Sequence, residues 1–177
     1  PYERGSGITN DSGTVVVSNS TFSGNHANYS GGAIYNYGGG IPGAGILTVQ
    51  NSTFSDNSAT WWGGCIQNEG GTVTVSSSTF SGNSARGGGC IHNMYTLDVS
   101  NSTFSGNRAD AGGSIFNEGG GAVTVSSSTF SSNSANYGGS IQNFGGTATL
   151  RNTIVANSPT GGNCSGTITD GGGNLSY

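Results

Sequence analysis

Lysine is absent from this chain, and all of its positive side-chain charge rests on Arg4, Arg86, Arg108 and Arg151 apart from what its two histidines add. Eight acidic residues bring the formal net charge to -4, yet charged residues of both signs amount to only 7% of the sequence. Contact with a phosphate backbone needs clustered cations, so nucleic acid is not an expected partner. Long apolar runs are missing as well. No stretch approaches the ~18–20 residues of a membrane helix, and no secretory leader pattern opens the chain, so a mature, soluble segment is expected. Hydrophobic residues make up 31%, too few for an ordinary domain built round one central core. Low charge over a surface of Ser, Thr and Asn fits an extracellular or cell-surface, secreted protein.

What is present in excess is glycine, 35 residues of it, with abundant Ser, Thr and Asn. Unordered, that composition would not offset chain entropy. Here it occupies fixed slots. Phe22, Phe54, Phe80, Phe104, Phe130 and then Ile154 each open an F-x-x-N unit, closed by Asn25, Asn57, Asn83, Asn107, Asn133 and Asn157. The first five are followed by Gly-Gly, a small residue, Ile and another Asn, as in Gly63-Gly64-Cys65-Ile66-Gln67-Asn68. The openings lie 32, 26, 24, 26 and 24 residues apart, the length of one coil of a stacked solenoid.

Alternation within a coil resolves three short strands. The first turns Val15 and Val17, Leu47 and Val49, Val73 and Val75, Leu97 and Val99, Val123 and Val125, and Ala148 and Leu150 inward. The second turns the Phe inward and Thr21, Thr53, Thr79, Thr103, Thr129 and Thr153 outward. The third stacks Ile34, Ile66, Ile91, Ile115 and Ile141. The expected fold is all-β, a right-handed parallel β-helix of about six to seven coils, with residues 1–177 as a single domain. Stacked Asn amides are expected to bond one another and the bend backbone. Gly-Gly is expected to supply positive φ at the turns. Ala27, Ala59, Ala85, Ala109 and Ala135 are expected to pack inside a corner. Residues 37–46 lengthen one bend, as a surface loop or a contact loop, and residues 158–177 form an irregular terminal coil. Gly7-Ile8-Thr9-Asn10 already fits the third-strand pattern, so the stack is expected to start mid-coil. Open apolar ends invite end-to-end self-association into filaments.

Gly-Gly-Ala33-Ile34 and Phe22-Ser-Gly-Asn25, with their repeats, resemble the GGA-I and FxxN repeats of polymorphic outer-membrane autotransporter adhesins, and more broadly bacterial right-handed parallel β-helix repeat proteins. Cys65, Cys90, Ser114 and Ser140 replace the Ala of that motif. The tail from Arg151 through Cys164 to Leu175 is similar to the end of choice-of-anchor β-helix proteins. The resemblance implies the fold, export and surface attachment, and the chain as a whole reads as a non-enzymatic β-helix with a structural or adhesive task.

Candidate chemistry is sparse. Glu69 and Glu118 fall in one slot two coils apart, roughly 10 Å, near the upper limit for an inverting acid/base pair of a polysaccharide lyase or hydrolase. Nothing accompanies them, so both read as solvated bend residues, with no catalytic residue, metal or cofactor expected. His26 and His92 read as outward residues without a ligand set. The outward Thr-x-Ser columns are similar to ice-binding arrays, a weaker alternative. Tyr29, Trp61, Trp62 and Tyr137 precede their Gly-Gly pairs on one corner. They are the candidate contact residues for a glycan, a host or cell surface, or another subunit. Cys65 and Cys90 share a slot in adjacent coils, as a small ladder residue or as a cross-coil disulfide, while Cys164 is unmatched.

Overall fold

A computed structural model describes residues 4–41 and 43–176. The described chain winds into a parallel β-helix whose three sheets each contain seven strands, one from every coil. The Ile sheet consists of Ile8–Asp11, Ile34–Tyr37, Ile66–Glu69, Ile91–Asn93, Ile115–Glu118, Ile141–Phe144 and Cys164–Ser165. The Val sheet runs from Thr14–Ser18 to Thr169–Asp170, and the Phe sheet from Thr21–Ser23 to Leu175–Ser176. Every pairing is parallel and in register, Ile34 on Ile66, Leu47 on Val73, Phe54 on Phe80.

This register buries like on like. Phe54, Phe80, Phe104 and Phe130 are fully buried, with rings stacked at 4.6–5.0 Å from Phe54 to Phe130. They form one column of a core completed by the Ile and Val ladders. Each such side chain contributes about 1.5–3 kcal/mol by leaving water, so a coil contributing only a few inward residues is still held. Thr21, Thr53, Thr79 and Thr103 point outward, as their alternation requires.

Two asparagine ladders close the bends. After the Ile strands, each Nδ2 from Asn10 through Asn36, Asn68, Asn93 and Asn117 donates to the Oδ1 of the next Asn, ending at Asn143, over 2.7–3.0 Å. The same Nδ2 atoms donate to bend carbonyls, such as Gly45 O from Asn36 and Gly71 O from Asn68. After the Phe strands, both the backbone N and Nδ2 of Asn57 donate to Asn83 Oδ1, and Asn57 Nδ2 also donates to Phe22 O. Bends buried from water are thereby satisfied.

A serine ladder, unforeseen from sequence, lies at the third corner. The backbone N of Ser20, Ser52, Ser78 and Ser102 each donates to the next coil's Ser Oγ at 3.1 Å, and each Oγ donates to the carbonyl two residues back.

The Gly-Gly pairs divide their labour. Gly63 sits at φ 61°, the conformation glycine was expected to supply. Gly64 does something else: a Cβ there would run into the carbonyl of Gly89 in the next coil, so it is the close approach of backbones that requires glycine. Ala27, Ala59 and Ala135 are buried at their corner, whereas Ala85 and Ala109 are only half-buried.

The sixth coil departs from the F-x-x-N reading. Asn152, at φ 47°, takes the bend position of Ser127, so the chain reaches the Phe column one residue later. Phe130 pairs with Val155, which is buried, while Ile154 pairs with Thr129 and is 40% exposed. Thr153 is correspondingly buried rather than outward, its Oγ1 donating to Arg151 O like the serines above. Asn157 falls at the positive-φ position of Ser132 and is exposed, so it is not a ladder member. Residues 158–176 then add three two-residue strands, Cys164–Ser165 stacking on Ile141 and Gln142. The long bend carries Gly39, Gly40, Gly43 and Gly45 at positive φ and leaves Ile41 exposed; Pro42 lies outside the described residues.

Candidate functional site

The corner between the Phe and Ile sheets carries its own ladder. His26–Ala27 pairs with Ser58–Ala59, and bridges link Ser30, Trp62, Gly87, Ala111 and Tyr137 from coil to coil. The four candidate aromatics therefore occupy two adjacent columns. Trp62 and Tyr137 belong to the bridged one, and Tyr29 and Trp61 to the position just before it.

Trp62 is half-buried rather than fully exposed. Its indole stacks on the His92 ring at 4.8 Å and on Phe116 at 6.3 Å. Room for it exists because the next residue of its column is Gly87, where a Cβ would lie 2.5 Å from Trp62 Cζ3 and 3.0 Å from Phe116 Cδ1.

The outward face of the Ile sheet is thus roofed over. His92, expected to point to solvent, is 1% exposed: it does point away from the core, but Trp62 covers it. Its Nδ1 lies 2.8 Å from Gln67 Oε1 and its Nε2 2.9 Å from Glu118 Oε1. Glu118 is consequently not a freely solvated bend residue. Nor is Glu69, whose Oε2 accepts a 2.7 Å hydrogen bond from the Tyr35 hydroxyl. The same hydroxyl accepts one from Arg4 Nη1, also at 2.7 Å. Burial, reinforced by the Glu69 carboxylate, pushes the Tyr35 phenol well above the usual tyrosine range. Each carboxylate holds the outward ring of a neighbouring coil, Tyr35 for Glu69 and His92 for Glu118. Among the described residues no group of three or more His, Cys, Asp or Glu side chains has the arrangement of a metal site.

Trp61, Trp62 and Tyr137 meet in one cleft of about 340 Å³. The sequence reading missed the rest of its wall: Arg86, Asp110, Phe116, Gln142 and Phe144. Phe116 and Gln142 are outward residues following a ladder Ile, a signal that alternation offered and that only their place in the cleft makes meaningful. Arg86 lies 4.4 Å over the Trp61 ring and 3.5 Å from Asp110, an exposed pair that contributes little to stability. Tyr137 and Phe144 are 64% and 65% exposed. Beyond the Arg86–Asp110 pair lies a polar groove of about 410 Å³, with Thr60, Ser84, Arg108 and Ser134 in its walls. Tyr29 does not line the cleft. It stands near Arg4, whose guanidinium is 5.5 Å from its ring.

Cys65 and Cys90 are free, fully buried thiols in the small-residue slot, with Cys90 Sγ donating to Cys65 Sγ at 3.1 Å. Burial raises both thiol pKa values, Cys90 the more strongly with Cys65 beside it. Cys164 stands in the Ile column of the last coil, its thiol pushed up to about 11 by burial.

Residues 19–37 match the profile of the Chlamydia polymorphic membrane protein repeat. That segment spans the Phe strand, Asn25, the corner with Tyr29 and the Gly-Gly-Ala-Ile turn, and the register places its equivalents in the coils that follow. No curated protein and no solved structure matches the chain. It is a β-helix repeat protein whose repeat is similar to that of the Chlamydia polymorphic membrane proteins.

Proposed function

We propose that this chain is an extracellular, surface-displayed β-helix that acts as a non-enzymatic adhesive module, with the corner bearing Trp61, Trp62 and Tyr137 as its contact face. The observation that carries this reading is the clustering of those rings with Phe144 on one edge of the solenoid, next to a Phe sheet whose outward residues are Thr and Ser. Large exposed aromatic surface on a soluble protein marks a place of contact. The repeat of residues 19–37, similar to one named for membrane proteins, supports a surface setting.

The carboxylates fit a structural role better than polysaccharide cleavage, because Glu69 and Glu118 each hold a ring of the scaffold. The test is adhesion of beads coated with the purified chain to cultured cells, in flow, compared with beads carrying Trp61→Ala/Tyr137→Ala. Retention of the wild-type beads and loss with the variant are expected. Equal retention of both would remove the corner from the mechanism, and absence of retention would remove the adhesive role.

A further inference from the structure

We infer that the aromatic cleft seats a neutral pyranose ring of a glycan, an inference that takes its site from the adhesive reading and names the ligand class. Three features of the cleft converge on that class. Trp62 lies with one face down on His92 and Phe116, and the exposed rings of Tyr137 and Phe144 stand in the same cleft. Such rings offer apolar faces with a negative quadrupole, which suit the C–H face of a sugar.

The polar groups then select for hydroxyls. Gln142 Oε1 is closed to solvent and has no hydrogen-bond partner among the described residues. A small swing of that amide brings an acceptor onto a ligand O–H. The Glu118 and Asp110 carboxylates add acceptors at the wall, while Arg86 and the Tyr137 hydroxyl add donors. A pyranose carries hydroxyls that both donate and accept, so one ring answers the whole set. An acidic sugar would face two carboxylates against a single guanidinium, which disfavours it. The cleft, at about 340 Å³, lies within the size range of small-ligand sites, and the polar groove beyond Arg86–Asp110 leaves room for further sugar units.

Both tryptophans of the chain line the cleft, so intrinsic tryptophan emission reports on this site alone. The probes are lactose, cellobiose, maltose, mannobiose and diacetylchitobiose, with sialyllactose as the acidic counterpart. At least one neutral disaccharide should give a saturable emission shift. Its affinity should fall about tenfold in Tyr137→Ala and in Gln142→Ala, and remain unchanged in Tyr29→Ala, with circular dichroism verifying the fold of each. No saturable shift with any neutral sugar, a shift with sialyllactose alone, or equal affinity in Tyr137→Ala overturns the inference. Running the bead assay with the same sugars separates the two readings. Adhesion through the corner that free sugars do not inhibit, in a protein that fails the titration, points to a protein partner and leaves the adhesive role standing. Sugar binding without bead adhesion sinks the adhesive role and keeps the cleft.

Discussion

The Trp62 indole occupies the space that a side chain on Gly87, its partner one coil on, would fill. Gly87 does not have positive φ, so this glycine is required for volume and not for conformation. The following member of the column is Ala111, with no second Trp above it. Gly87→Ala is therefore expected to lift the indole off His92 and to cost about 1–3 kcal/mol by overpacking. The measurement is a urea titration together with a red shift of tryptophan emission. An unchanged emission maximum would contradict the packing described.

Core and surface should separate sharply along one strand. Phe80→Ala is expected to cost about 3–5 kcal/mol and Ile91→Ala about 2–5 kcal/mol, whereas Thr79→Ala stays within about 0.5 kcal/mol. In the sixth coil the register makes a sharper demand. Val155→Ala should cost about 1.6 kcal/mol, two buried carbons at ~0.8 each, and Ile154→Ala much less. The reverse order in a denaturant titration would restore Ile154 to the Phe column.

Asn83 is fully buried and its side chain makes four hydrogen bonds, two accepted from Asn57 and two donated to Phe54 O and Asn107 Oδ1. Asn83→Ala strands those partners, and at about 1–3 kcal/mol for each unsatisfied group it should be among the most damaging changes in the chain. Asn157→Gly, at an exposed positive-φ position, should be neutral or slightly stabilising. Comparable losses at both sites in thermal melts would mean that Asn157 belongs to the ladder after all.

The three thiols predict alkaline weakening. Their pKa values are raised in the folded chain, so above the ordinary value of 9.0 the unfolded thiols lose protons that the folded ones keep. Fewer protons bound in the unfolded state makes stability fall as pH rises. For Cys164 that window runs from pH 9.0 to about 11, and the raised Cys65 and Cys90 add to the decline above pH 9.0. Cys65→Ala/Cys90→Ser, with residues that other coils carry in that slot, combined with Cys164→Ala, should flatten the decline in urea midpoints measured against pH. Mass spectrometry of a non-reduced digest should find Cys65 and Cys90 as thiols. A flat wild-type profile, or a Cys65–Cys90 disulfide, would refute this account.

Taken alone, the 177-residue chain leaves ladder residues only partly covered in its outer coils: Ile8, Val15 and Phe22 in the first, Cys164 and Ile168 in the last. The isolated segment is expected to associate end on at high concentration, since two different surfaces would meet head to tail, a contact that propagates as a filament unless its rotation closes a ring. Sedimentation velocity and electron microscopy check this. Strictly monomeric material would show that these coils need no neighbour.

Periodicity alone determined the solenoid, the three ladders and which faces of Phe80, Val99 and Ile115 turn inward, because a coil's side chains repeat with the backbone and alternation leaves only one register that buries them. It also placed the Asn ladders, since stacked amides at a bend have few other partners. Three-dimensional packing decided the rest. The register put Val155, not Ile154, in the Phe column, because the bend from Leu150 keeps the same five-residue step as Val125 to Phe130; an Asn at the expected spacing from Ile154 concealed this. The cleft depends on residues from four successive coils, Trp62 to Phe144, and on the empty volume at Gly87. Neighbours across coils are separated by some 25 residues of chain, so what roofs His92 is set by how the coils stack and not by anything adjacent to it in sequence.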